Sequence, residues 1–424
     1  MSNAVIVYVL NVGQGMGNFV EIYGNGVGNP PTKTFLYDFG SEKGFSRYGV
    51  KSVDFVMGRL KTMATPKLDL IIFSHGDKDH WNLFTKFILR CNTDPVLKNL
   101  QYGQVYFGGS KDQYDFAKGT YNILSILQAK GAKVGSGFEF HGSNFKGSAP
   151  WSGVNLDGLY VRLLLANVDN GAYKNVFTGN IIFSNKNSVS AVVVCEYAGV
   201  RFLFPGDATG ETFHSINAWI VAQKIEKQVD NTFMLVLPHH GSKVTLSYGK
   251  PDPYLDARNF AAFCKANSIT ASADFRKGFN HPDLSVINLF APGGSGSYTP
   301  PVGEAAHPKH LLTAYDLNNW YTYNTLSNIY TTAYSTSSRV NSWSFGVRDD
   351  AALFTWRDPS NTPLKAVSHA TRVADMLAQS FLQTSRAEND SITPVNTSNA
   401  SPVYKALRKK RAPGSDVGMY PEKQ

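Results

Sequence analysis

Cysteine is scarce in this 424-residue chain: Cys91, Cys195 and Cys264 are the only three, and none stands at metal-ligand spacing. That argues against a disulfide framework and a cysteine-type zinc site, and fits a reduced, cytoplasmic compartment. Cys195, inside the run AVVVCEY, reads as a small buried hydrophobe. Long apolar runs are also missing. The best, 68–73, 233–237 and 189–204, are short, and Glu196 and Arg201 interrupt the last. A helical membrane span needs about 20 apolar residues, so neither a span nor a membrane partner is expected. The amino terminus passes from Met-Ser-Asn-Ala into VIVYVL without a basic region or a small-residue cleavage site, so no secretory signal is expected. There is no G-x-S-x-G nucleophile motif, no Walker phosphate loop and no internal repeat. Charged residues make up 17% of the chain, below the usual share of about 25%, which implies a modest surface charge density.

What is present supports a folded enzyme-sized protein. The hydrophobic share of 42% and aromatic share of 13% suffice for a real core, and 37 Gly with 20 Pro exclude a collagen-like or low-complexity chain. The net charge of +9 is uneven. Residues 401–424 carry Lys405, Arg408, Lys409, Lys410, Arg411 and Lys423 against Asp416 and Glu422, so this tail supplies +4. A positive balance permits a polyanionic partner without demonstrating one.

Short β-branched and aromatic runs at 4–11, 18–23, 34–38 and 68–74, separated by Gly-rich turns, read as strands, and the first 75 residues contain no clear helix. Apolar spacing predicts helices over 81–90, 112–129, 211–225, 253–266 and 282–290, with strands at 104–107, 159–165, 189–197, 201–205, 233–237 and 269–271 between them. Two strand-rich halves, each with helices, suggest stacked sheets covered by helices. Residues 1–356 are expected to form one domain with a Gly/Pro/Ser-rich loop insertion near 291–308. A C-terminal helix over 357–386 and a basic flexible tail over 387–424 would follow. Trp320, Tyr321 and Tyr323 in NNWYTYN could stack on bases, although inward-packing aromatic strands are the commoner use.

The chemistry concentrates in LDLIIFSHGDKDHWNL, which puts His75, Asp77, Asp79 and His80 within six residues just past an apolar strand. In extended chain alternate residues point the same way, so His75, Asp77 and Asp79 can converge at the strand's mouth. The start of the following helix then turns His80 toward the same point. Imidazoles with carboxylates suit Zn²⁺ or Mn²⁺. The bland alternative is a polar loop whose Asp caps the helix; four potential ligands in six positions argue against it.

With this segment the chain resembles the metallo-β-lactamase superfamily, whose signature is H-x-H/D-x-D-H. Further segments narrow the resemblance to its ComEC-like branch: LNVGQGMGNFVEI, FLYDFGS, RFLFPGDATGE, LVLPHHGSK and ITASADFRKGFNHPDLSVINLF match that branch in order, over roughly 5–290. The resemblance implies an α/β fold, the αββα four-layer sandwich, with two divalent metal ions (Zn or Mn) at the edge of the sheets. His75 and Asp77 would hold the first ion, and Asp79 with His80 the second. Asp207 would bridge, and either His239 or His240 would close the second site. Asp79 would also orient the attacking water, and His281 would sit near the substrate as a catalytic residue.

Some positions depart from the pattern. Asp77 in place of His is usual for the branch and tilts preference toward Mn²⁺. Met16 stands where the branch has Asp, and the His that many members carry before the Gly-Asp segment has no counterpart. Asn187 of NKNS occupies that region, with His141 a remote candidate, so one ion is expected to bind more weakly than the other. The implied function is a metal-dependent phosphodiesterase or nuclease acting on DNA or RNA. Lys243, Arg276 and Lys277, with Asn187, are expected to face the substrate, its phosphates for the basic three. The alternatives are hydrolysis of a small substrate (cyclic nucleotide, lactone or thioester) and a noncatalytic binding protein on the same fold.

Overall fold

The computed structural model describes residues 3–42, 47–115, 121–135, 153–168, 186–230, 232–249, 251–273, 280–291, 310–316, 319–325, 329–332, 342–349, 352–357 and 371–372. The first half holds β1 (Ala4–Val9), β2 (Gly17–Tyr23), β3 (Lys33–Phe39), α1 (Arg47–Leu60), β4 (Lys67–Phe73), α2 (Lys78–Thr93), β5 (Gln101–Phe107), α3 (Ile123–Ala129) and β6 (Lys133–Val134). The second begins with β7 (Val154–Leu156), β8 (Leu159–Leu165), β9 (Val192–Tyr197), β10 (Val200–Phe204), α4 (Gly210–Gln223), α5 (Glu226–Val229) and β11 (Thr232–Val236). It continues through α6 (Leu255–Cys264), β12 (Ser268–Ala271), α7 (Leu284–Phe290), β13 (His310–Asp316), β14 (Asn319–Thr325) and β15 (Ile329–Thr331). Last come β16 (Trp343–Arg348), β17 (Ala352–Arg357) and β18 (Thr371–Arg372).

These strands make two large mixed sheets, ordered β18-β17-β16-β1-β2-β3-β4-β5-β6 and β15-β12-β11-β10-β9-β8-β7, with β13-β14 as a separate hairpin. Connection length explains the polarity. Helix-free loops join β1, β2 and β3 antiparallel, whereas α1 and α2 carry the chain over the sheet so that β3, β4 and β5 run parallel. In the second sheet α4 and α6 do the same for β10, β11 and β12.

The layers follow from alternation. Along β1, Val5, Val7 and Val9 face a core between the sheets that also takes Tyr37, Ile72, Val193, Phe204 and Val236. Ile6 and Tyr8 face a second core under α1 and α2, with Val53, Leu60, Trp81, Phe84 and Phe87. A third core packs the outer face of the second sheet against Phe213, Phe260 and Phe290 of α4, α6 and α7. Buried on both faces, β1 is apolar throughout rather than alternating. The αββα sandwich expected from the resemblance is thus the fold the chain adopts. Among the described residues no helix is long and apolar enough to cross a membrane. All three cysteines are free and buried, Cys195 in the inter-sheet core as expected.

Three expectations need correction. The first 75 residues are not all strand and turn, because α1 spans 14 residues; Gly49, Gly58 and its valines mask the helical spacing. The helix expected over 112–129 is confined to Ile123–Ala129, preceded by a 3₁₀ turn at Lys111–Tyr114, with 116–120 outside the described residues. Of the helix expected over 357–386, the described residues beyond Arg357 are Thr371 and Arg372, and these form a strand paired to β17. The remainder of that segment, the loop over 292–309 and the tail over 387–424 lie outside the described residues. Trp320, Tyr321 and Tyr323 lie on β14, in the hairpin.

Candidate metal centre

Because β3–β5 and β10–β12 are parallel sets, their carboxyl ends open along shared edges of the sheets, and the polar segments of the sequence emerge there. The end of β3 carries Asp38, the end of β4 carries Ser74 to His80, the loop after β10 carries Asp207, and the loop after β11 carries His239 and His240. Two contacts lock the sheets together at this edge: Ala191 N donates to Ser74 O at 2.8 Å, and Tyr37 Oη donates to Ala191 O at 2.7 Å. Within the second sheet, Asp207 N donates to Ser190 Oγ at 3.1 Å. Gly40 lies so close to the metal-loop backbone that a Cβ there would overlap the Asp79 carbonyl and the His80 nitrogen. Met16 N donates to that same Asp79 carbonyl at 3.0 Å, which gives the buried Met16 segment a backbone role.

Asp207 is the hub. Its Oδ1 lies 3.0 Å from His80 Nε2 and 3.6 Å from His240 Nε2; its Oδ2 lies 3.5 Å from His239 Nε2 and 3.8 Å from His75 Nε2. Asp77 Oδ2 is 3.6 Å from His75 Nε2, and Asp79 Oδ2 is 3.5 Å from His240 Nε2. Two groupings could each hold a cation: His75, His80 and Asp207, and Asp79, His80 and His240, each with its ligand atoms within 4.8 Å of one another. Asp77 occupies the N-cap position of α2 without any side-chain capping hydrogen bond. The bland reading of that carboxylate therefore fails: it turns toward His75 and toward Lys186, whose Nζ lies 3.5 Å from Oδ1.

The outer ring nitrogens are held from behind. His80 Nδ1 meets Asp38 Oδ2 at 2.8 Å, His240 Nδ1 meets the Ser272 carbonyl at 2.6 Å, and His75 Nδ1 meets Ser74 Oγ at 3.0 Å. Asp38 also accepts from Ser74 N at 2.6 Å and from Ser74 Oγ at 2.7 Å. The backbone at Asp38, His239 and His240 is left-handed (φ 55°, 45° and 55°), the kind of strain that turns tolerate where side chains must be aimed.

Four buried atoms of this cluster, Nε2 of His75, His80 and His240 and Oδ1 of Asp207, make no hydrogen bond among the described residues. His80 Nε2 and Asp207 Oδ1 are close but not aligned to bond each other. Such orphans cost free energy unless a ligand fills the space between them. Their chemistry, imidazole nitrogens with carboxylate oxygens, fits a borderline or hard divalent cation. Burial alone would raise the carboxyls of Asp207 and Asp79. The surrounding imidazoles, His239, His80 and His240 for Asp207 and His240 with His80 for Asp79, outweigh it and hold both below the usual carboxylate range.

His281 lies beside the pair, its ring stacked 5.8 Å from that of His240 and its Nε2 2.7 Å from Gln14 Nε2. Burial, then repulsion from His240 and His239, pushes its pKa down to about 3. Asn187 Nδ2 is 3.3 Å from His239 Nδ1. Lys243 is exposed and makes no ion pair among the described residues; Arg276, Lys277 and His141 lie outside them. Sequence reasoning missed Asp38, Ser74, Gln14, Ser190 and Ser272. FLYDFGS and GQGMG were the available signals for Asp38 and Gln14; the serines carry none.

No protein-family model and no curated protein matches the chain. Among solved structures it is similar to the metallo-β-lactamase-fold protein YhfI of Bacillus subtilis, with 11% identity, 68% of this chain and 94% of that one covered, and a TM-score of 0.34. It is also similar to unliganded yeast PDE1 (10% identity, 68% and 93% covered, TM-score 0.39). A third is a diphosphatase of the PhnP family (11% identity, 64% and 86% covered, TM-score 0.30). At these identities and scores the likeness assigns no reaction.

Proposed function

We propose that the chain is a metal-dependent hydrolase of the metallo-β-lactamase superfamily, of its ComEC-like branch, cleaving phosphodiesters in DNA or RNA. The observation that carries this reading is the set of four orphaned buried atoms gathered around one carboxylate. The ligand residues in this reading are His75 and Asp77 for one ion and Asp79, His80 and His240 for the other, with Asp207 turning one oxygen to each group. His240 is chosen over His239 because its Nε2 is the orphaned one and groups with Asp79 and His80. Two such ions, when bound, would supply an activated water and an electrostatic clamp on the scissile phosphoryl group.

The chain's own residues set the rest. Asp77, Asp79 and Asp207 bring three negative charges against two dications, and with neutral imidazoles this leaves one positive charge to meet a phosphodiester monoanion. Asp38 and the Ser272 carbonyl hold His80 and His240 with Nε2 turned inward, which favours ligand over spectator roles. In this reading Asp79, in the first turn of α2 and held through its carbonyl by Met16, would orient the water, and His281 would face the substrate. Mn²⁺ or Zn²⁺ fits this donor set better than Mg²⁺, for which imidazole is a poor ligand.

The test is metal content measured together with cleavage of plasmid DNA, RNA, a cyclic nucleotide and bis-p-nitrophenyl phosphate. Manganese-dependent turnover of the polymers and of the chromogenic diester supports the reading. Turnover of the cyclic nucleotide alone would move it to a small substrate, and full activity in metal-free protein would overturn it. Deleting 401–424 then asks whether the basic tail holds a polymer. Loss of tail contacts should flatten the slope of log K against log[salt] by up to about 0.9 per phosphate on duplex DNA, without changing turnover of the small diester.

A further inference from the structure

The five histidines of the site divide by what faces the ring nitrogen turned away from the cluster. For His80 it is a carboxylate, Asp38 Oδ2 at 2.8 Å, and for His240 a carbonyl, Ser272 O at 2.6 Å. For His75 it is the Ser74 hydroxyl at 3.0 Å, whose own proton goes to Asp38 Oδ2 at 2.7 Å. Each of these partners accepts. Each ring is thereby set to hold a proton on Nδ1 and to offer an Nε2 lone pair to a bound cation, as a metal ligand must.

His239 is built differently. Its Nδ1 faces Asn187 Nδ2 at 3.3 Å, an amide nitrogen that can only donate. The ring proton therefore sits on Nε2, the atom 3.5 Å from Asp207 Oδ2. An N–H directed at the cluster cannot ligate a metal. His239 is also the outermost of the four rings around Asp207: its side chain is 19% exposed, against 0% for His75 and His80 and 1% for His240. His281 shows the same kind of pairing, with the Gln14 amide nitrogen 2.7 Å from its Nε2.

We infer that Asn187 is a positioning residue that holds His239 as its Nε2–H tautomer, so that His239 stays off the metals and donates a hydrogen bond to an anionic oxygen of the substrate. The inference rests on the metallohydrolase reading above and divides the two adjacent histidines, which look equivalent in sequence, into a ligand and a donor. The N–H stands at the rim of the cluster beside Asp207, where a phosphoryl oxygen approaching the metals would pass. Asn187 does not itself touch the substrate in this scheme; it acts through the ring.

The experiment uses the full chain loaded with zinc, with His239→Gln, His239→Ala, His240→Gln, Asn187→Ala and Asn187→Asp. His239→Gln should keep the wild-type metal content per chain, whereas His240→Gln should lose about half of it if it serves one of two ions. Long-range ¹H–¹⁵N spectra should show His239 protonated at Nε2 in the wild type. Asn187→Asp, which offers only acceptors, should move that proton to Nδ1. With manganese-loaded protein and bis-p-nitrophenyl phosphate, Asn187→Ala and His239→Ala should each raise KM about tenfold and leave kcat within about twofold, as expected for a lost hydrogen bond to a bound anion. Equal metal loss in His239→Gln and His240→Gln would overturn the inference, as would an Nδ1–H tautomer in the wild type or an unchanged KM. If the wild type turns over no phosphodiester, the functional reading fails instead. Metal content and ring tautomer still decide the Asn187–His239 pair, because neither depends on turnover.

Discussion

Two buried polar clusters lie against the first sheet, and they are built to opposite rules. On its helix-facing side Glu21, fully buried, receives Tyr8 Oη at 2.8 Å and Tyr23 Oη at 2.6 Å. Arg59 of α1 closes the set, its Nε 2.8 Å from Oε1 and its Nη2 2.9 Å from Oε2. Every charge there has a partner within the chain. At the carboxyl edge of the same sheet, His75, His80, His240 and Asp207 leave four buried atoms without a hydrogen bond among the described residues. At about 1–3 kcal/mol for each unsatisfied buried group, a purely structural cluster would not persist in that form. The first cluster is satisfied within the chain; the second has the donor set of a cation site.

The sharpest way to break this contrast is Asp79→Ala. The side chain is lost while the backbone carbonyl still accepts from Met16 N at 3.0 Å, so the loop keeps its anchor. Hydrolysis of bis-p-nitrophenyl phosphate should fall roughly a thousandfold, with melting temperature and circular dichroism unchanged. Activity within about twofold of wild type would remove Asp79 from the site.

Glu21→Ala should do the reverse, costing stability and sparing the metal. It leaves a guanidinium and two tyrosine hydroxyls without their acceptor, and breaking a buried ion pair costs about 3–5 kcal/mol. The lower end is expected, because the Arg59 side chain is 26% exposed and can turn to water. Urea unfolding measures the loss, and metal content per chain should not change. A cost below about 1 kcal/mol would mean that this cluster is as loosely held as the other.

Metal removal sharpens the comparison from the other side. Free Mn²⁺ at about a hundred times its dissociation constant should stabilise EDTA-stripped protein by about 2.7 kcal/mol. The same addition to Asp207→Ala should give little shift, and to Glu21→Ala the full shift. Equal shifts in wild type and Asp207→Ala would place the ion elsewhere.

The smallest effect concerns His281 in metal-free protein. An unfolded histidine protonates near 6.5, whereas the folded ring, desolvated and repelled by His240 and His239, does so only at about 3. Between those values the unfolded state binds more protons, so stability rises with pH. The contribution is complete above about 6.5 and is lost as pH falls below it, by up to about 1.4 kcal/mol per pH unit. His281→Gln should flatten the acid limb by about 1 kcal/mol between pH 6.5 and 5.5 in urea unfolding. An unchanged acid limb would show that the ring is solvated.

Local pattern made much of this molecule legible. Continuous apolar runs placed the buried strands β1, β4 and β11, and four potential ligands between His75 and His80 announced a site because strand alternation and the start of a helix gather them within one loop. Asp207, His239 and His240 were legible as short motifs only, since a Gly-Asp or a His-His pair has ordinary uses in turns. The helix α1 was hidden by glycines and valines, whose local preferences its packing under the first sheet overrides.

Other assignments have no local trace. β16 lies against β1, with Ala4 opposite Arg348, so the first sheet is completed by residues more than three hundred positions away. Asp38 holds His80, Ser272 holds His240 and Gln14 meets His281 across separations of 42, 32 and 267 residues. His239 and His240 are the same residue type in adjacent positions, and nothing along the chain distinguishes them. Spacing by itself determined the buried strands and the gathering of four potential ligands in one short segment, because these depend on neighbours a few residues apart. The tertiary structure decided which imidazole nitrogens keep a lone pair toward the cluster, because a ring's proton goes where the nearest acceptor stands, and those acceptors arrive from distant strand ends.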